Sequence, residues 1–129
     1  MTAASKRDGL IVCCAVSAGV HGALVPEHLR DHLPAGIGFV AATATLVAAI
    51  IGLTVRPDSW AITTTAVCIL ISLVVSYVVA STNGIPFLHP DVDPIDTLGI
   101  LTKAVEVVGV ALGTQLLHSA LKRPEGARA

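Results

Sequence analysis

Four apolar runs, 9–25, 36–55, 60–80 and 97–117, take up most of this 129-residue chain. Each is long enough, or nearly so, to cross about 30 Å of hydrocarbon, which takes roughly 20 helical residues. No other feature limits the fold as severely. Inside a bilayer the backbone has no water to bond, so runs of this kind must close their hydrogen bonds internally as helices. A hydrophobic content of 53% with only 13% charged residues is far from the balance of a soluble domain and agrees with that reading. The sequence therefore predicts an all-α fold, a four-helix transmembrane bundle forming a single integral membrane domain over 1–129. The first run is the shortest, but it contains no charge. A cleaved signal peptide is its competing reading, because Lys6 and Arg7 precede it. Against that, no Ala-x-Ala-like spacing closes the run, and His21 interrupts it.

Basic residues orient the bundle. Lys6, Arg7, Arg56, Lys122, Arg123 and Arg128 fall at the two ends of the chain and in the second connection, whereas the first and third connections contribute Arg30 alone. The positive-inside rule then predicts a multi-pass protein of the cell membrane with both termini cytoplasmic, N-in and C-in. A net charge of −1 provides no concentrated basic face for nucleic acid. Cys13, Cys14 and Cys68 lie within the runs and form no C-x-x-C motif, so they read as packing residues.

Chemistry gathers first at HGALVPEHLRDH, residues 21–32, where the first run gives way to three histidines, a Glu and an Asp. Pro26 suits the first turn of a new helix, since its missing N–H costs nothing there. A helix starting at Pro26 would place His28 and His32 on one face and Glu27 and Asp31 on the adjoining one. With His21 and His89, these residues form a candidate metal set: His21, Glu27, His28, His32 and His89. Imidazole and carboxylate suit a divalent transition metal, Zn or Cu, and the lack of any Met beyond the initiator argues against Cu(I). HLRDH, residues 28–32, is similar to the HxxEH arrangement of zinc proteases, but Asp replaces the Glu and no soluble domain exists to form a cleft.

The polar residues within the runs form a second group. Cys14, Ser17 and His21 follow one another at spacings of three and four and predict a narrow stripe facing other helices. Ala41, Ala44, Ala48 and Gly52 give the second helix a small-residue face suited to close packing. Thr65, Cys68, Ser72 and Ser76 line one side of the third, where hydroxyls bond back to their own helix or to a neighbour. In the fourth, Lys103 and Glu106 are three residues apart and pair on one face. Each would cost about 2.5–3.5 kcal/mol unpaired near mid-bilayer. The pair either serves docking alone or joins His21 in a polar site. Gly109 and Gly113 form a small-xxx-small motif for interior packing or an oligomer contact. The third connection holds Pro86, Pro90 and Pro94 with His89, Asp91, Asp93 and Asp96; Asp91 and Asp93 share one side of an extended segment and are either solvated or share a cation. The opening octet is polar and predicts a frayed end.

The layout PEHLRDH (26–32) after helix one, TNGIP (82–86) before the acidic connection and DTLGILTKAVE (96–106) opening helix four resembles small four-span bacterial integral membrane proteins. The resemblance covers most of the chain, implies a four-helix membrane fold and supplies no activity. Small multidrug transporters share the span number, but they are organised by a Glu in the first helix, and here the intramembrane Glu is in the fourth. Two functions follow from the residues. One is a binding or accessory membrane protein whose extracytoplasmic-side His/carboxylate site takes a divalent metal or, through His21 and Glu106, a proton, since histidine is the side chain that titrates near neutral pH. The other is a structural subunit of a homo-oligomer or larger membrane complex. An enzyme ranks behind both, because no nucleophile stands beside a recognisable base and oxyanion site.

Overall fold

A computed structural model describes residues 1–86, 91, 92 and 94–122. The described residues form four helices: α1 (Ala3–Asp31), α2 (Leu33–Val55), α3 (Trp60–Asn83) and α4 (Thr97–Leu121). All four are long and apolar enough to cross a membrane. Exposed Val12, Val40, Ile51, Val75 and Val107 give the bundle the apolar exterior that lipid requires.

Helix ends follow their capping residues. Ser59 accepts from the Ile62 amide to start α3, and the Asp96 carboxylate accepts from the Gly99 amide to start α4. Gly84, at φ 67°, ends α3 in a conformation that a side chain would disfavour. The N-terminus differs from the frayed octet expected. Thr2 accepts from the Ser5 amide at 3.1 Å, and helix begins at Ala3.

A larger correction concerns Pro26. It starts no helix but sits inside α1, which runs on to Asp31. Its ring removes the N–H that would reach the Gly22 carbonyl, yet the helix continues on either side. The proline that opens a helix is Pro34, in the first turn of α2. A single residue, His32, joins the two helices in extended geometry (φ −150°, ψ 96°), its N–H bonded to the His28 carbonyl at 2.9 Å. His28 and His32 consequently share no helical face.

The helices form a ring in chain order. α1 packs against α2 and α4, and α3 against α4 and, more lightly, α2. Leu10, Cys14, Leu46, Leu53, Ala66 and Leu70 form the core. Gly109 and Gly113 let α4 settle between its neighbours: a methyl at Gly109 would press on Leu70 and Cys13, and one at Gly113 on Val67. Their motif therefore serves packing within the chain. The small-residue face of α2 behaves in the opposite way. Ala41, Ala44 and Ala48 are exposed, and only Gly52 is close-packed, against Ile62 of α3. Thr65, Cys68 and Ser72 also face outward, Thr65 and Ser72 bonding back to the Ala61 and Cys68 carbonyls.

Candidate functional site

At one end of the bundle the start of α1, the α2–α3 turn and the end of α4 lie together around Arg7, Asp58 and Ser119. The polar site lies toward the opposite end. Lys103 is six residues beyond Thr97, the first of α4, and Glu106 nine, which at 1.5 Å per residue places them about 9 and 14 Å along the helix from its start.

Glu106 is the anchor. Its side chain is fully buried, and both carboxylate oxygens are occupied. Lys103 Nζ donates to Oε2 at 2.7 Å, one helical turn away on the same face. Ser17 Oγ, from α1, donates to Oε1 at 2.7 Å. The ion pair therefore extends across a helix interface. Lys103 makes a second, longer contact of 3.4 Å to the Leu73 carbonyl and lies 5.6 Å from the Tyr77 ring centroid, so α3 also holds the ammonium.

His21 continues the chain from Ser17. Its Nδ1 lies 2.8 Å from the Ser17 carbonyl and 3.4 Å from Ser17 Oγ. A carbonyl can only accept, so Nδ1 carries the proton and Nε2 is the acceptor of the neutral ring. His28 repeats the arrangement one heptad along, with Nδ1 3.0 Å from the Leu24 carbonyl. Phe39 of α2 packs against both imidazoles, stacked on His28 at 4.0 Å between centroids and tilted on His21 at 5.4 Å. These rings, with Leu73, Ser76, Tyr77, Ile85 and Lys103, border a cavity of about 200 Å³.

Among the described residues the predicted metal set does not meet: His21 and His28 border one cavity, Glu27 and Asp31 are exposed, and His32 caps the helix. His89 lies outside the described residues, as does Asp93, so the proposed Asp91 and Asp93 pairing does too. Among the described residues no three His, Cys, Asp or Glu side chains come together as a metal group. The donors that do meet also fit a dication poorly: both Glu106 oxygens are engaged, and the Lys103 ammonium borders the same cavity. A four-coordinate Zn or Cu site therefore has two imidazoles and a repelling charge here.

Ser17, His21 and Glu106 carry the residue types of a catalytic triad but not its connectivity. In a triad the imidazole takes the serine proton and the acid orients the imidazole. Here Ser17 gives its proton directly to the acid. The arrangement is a proton-bearing chain, Lys103–Glu106–Ser17–His21, leading from α4 across to α1 and into the cavity. Phe39 and Tyr77 were not singled out in the sequence. The seven-residue spacing of His21 and His28, two helical turns, was the readable sign that both face one side. No protein-family model, curated protein or solved structure matches this chain.

Proposed function

We propose that this chain is an integral membrane binding protein, both termini cytoplasmic, whose interior site holds and exchanges a proton between Glu106 and His21. One observation carries the reading. A fully buried carboxylate is bonded on one oxygen to an ammonium and on the other to a hydroxyl that neighbours an imidazole bordering a cavity. Ionisable side chains inside membrane helices are expensive, and they mark ion and proton pathways more often than scaffolding. Histidine adds the one side chain whose unperturbed charge change falls between about pH 5 and 8.

The test follows the ¹⁵N resonances of His21 by NMR in lipid over about pH 5 to 8. Glu106→Gln and Ser17→Ala are both expected to alter its titration curve, the second by removing the hydroxyl that lies between the two groups. Identical His21 curves in wild type and both variants remove the proposal.

A second reading, a subunit of a larger membrane complex, draws on the outward face of α2, where Ala41, Ala44 and Ala48 are exposed. It calls for Ala44→Leu to dissociate an assembly seen with the wild type in mild detergent. An unchanged assembly, or a wild type that is monomeric, counts against it.

A further inference from the structure

The cavity concentrates ring systems in a chain that has few. Aromatic residues number four, two Phe, one Tyr and one Trp, and two of them, Phe39 and Tyr77, border it beside His21 and His28. Its volume, about 200 Å³, exceeds the roughly 150 Å³ at which an apolar cavity already takes up benzene. Leu73, Ala35, Ala42 and Ala80 supply apolar wall, so a ring would be welcome by area alone.

Polar groups on the wall set what the ring must carry. Tyr77 Oη is buried and has no hydrogen-bond partner among the described residues. Lys103 Nζ bonds Glu106 and, weakly, the Leu73 carbonyl, leaving one N–H. Against these donors stand the Nε2 acceptors of two imidazoles whose Nδ1 protons are already committed to the backbone. Lys103 is neutralised by Glu106, so the site has no net charge to match with an anion. A complement must be flat, neutral and apolar, with oxygen that both accepts from Tyr77 or Lys103 and donates to imidazole.

We infer that the cavity binds an aromatic hydroxyl compound, of the phenol or quinol class, its ring against Phe39 and its hydroxyl between the imidazoles and the Tyr77–Lys103 side. This rests on the polar core being a working site, but it adds a ligand that proton exchange alone does not need. A carbonyl or ether oxygen cannot donate, so it would leave both Nε2 atoms without a proton.

The experiment titrates 2-naphthol into the full chain in lipid nanodiscs, read by naphthol fluorescence, with empty nanodiscs to subtract partitioning. Saturable binding is expected for 2-naphthol, with at least tenfold weaker binding of 2-methoxynaphthalene and at least fivefold weakening in Tyr77→Phe, which keeps the ring. His28→Ala provides a second variant, also weakened, with helical circular dichroism as the check on folding. Equal binding of the two naphthalenes, no saturable binding, or unchanged binding in Tyr77→Phe each overturns the inference. Displacement of the probe by an isoprenoid-tailed naphthoquinol marks a ligand arriving from the lipid, and displacement only by tail-less phenols marks one from water; either supports the class. Failure here with the His21 titration still coupled to Glu106 refutes the ligand and leaves proton exchange standing. Binding with uncoupled titration does the reverse.

Discussion

Replacing Lys103 with Met keeps the unbranched stem to within one atom and removes the charge, leaving the Glu106 carboxylate buried with Ser17 still bonded to it. At 2.7 Å and an effective dielectric of about 20, the gross attraction between the pair is about 6 kcal/mol. The net value is smaller because both groups leave water. Glu106 is fully buried and the Lys103 side chain 14% exposed, so solvent screens little of what remains. Removing one partner of such a buried pair costs about 3–5 kcal/mol. We place Lys103→Met near the lower end, about 3 kcal/mol, because Ser17 stays bonded to Glu106. Lys103→Met/Glu106→Gln then removes the uncompensated charge while keeping the shape of residue 106. It is expected to be less destabilised than the single Lys103→Met, with a coupling in the cycle of about 1.5–3 kcal/mol. The assay is reversible unfolding in mixed micelles with increasing SDS, followed by circular dichroism, for the wild type, both single variants and the double. A Lys103→Met cost below about 1 kcal/mol, or coupling below about 0.5 kcal/mol, refutes the premise that this pair is a desolvated unit.

The same unfolding assay checks three further expectations. Gly113→Leu is expected to destabilise by about 1–3 kcal/mol through overpacking against Val67, with no change in assembly state, because the residue faces the interior of its own bundle. Tyr77→Phe is expected to be neutral or to stabilise by up to about 1 kcal/mol, since it removes a buried hydroxyl that has no partner among the described residues; a loss above about 1 kcal/mol shows that the hydroxyl has one. Elemental analysis of purified protein is expected to find no stoichiometric Zn or Cu, and metal that disappears in His28→Ala/His32→Ala would restore the metal site that the described donor positions disfavour.

Span number, the inward stripe of α1 and the pairing of Lys103 with Glu106 were legible because each rests on one period, 3.6 residues, acting within a single helix. The misreadings arose where two helices had to be considered together. Pro26 looked like a helix start because propensity assigns proline to first turns, but the packing of α1 along α2 carries the helix through it. That moved His32 off the face of His28, and among the described residues no three metal donors meet. The small face of α2 and the small face of α4 are indistinguishable as patterns, yet Gly109 and Gly113 meet Leu70 and Val67 while Ala44 and Ala48 are exposed. Ser17 was visible as a polar residue in α1, but no spacing rule connects it to a carboxylate 89 residues away.

An ion pair used only to dock α4 would be complete with Lys103 and Glu106, which already neutralise each other one turn apart. Apolar side chains at both positions would fill the same space at no loss, and often a gain, of stability. Extension of the pair through Ser17 to His21 and a cavity is therefore unexplained by packing, and it makes stability and function separable in one variant. Lys103→Met/Glu106→Gln should recover much of the stability lost in Lys103→Met, because no bare charge remains, while the His21 titration responds as it does in Glu106→Gln alone. A double variant with both its stability and an unaltered His21 curve would return the pair to a docking role, and with it the whole polar core.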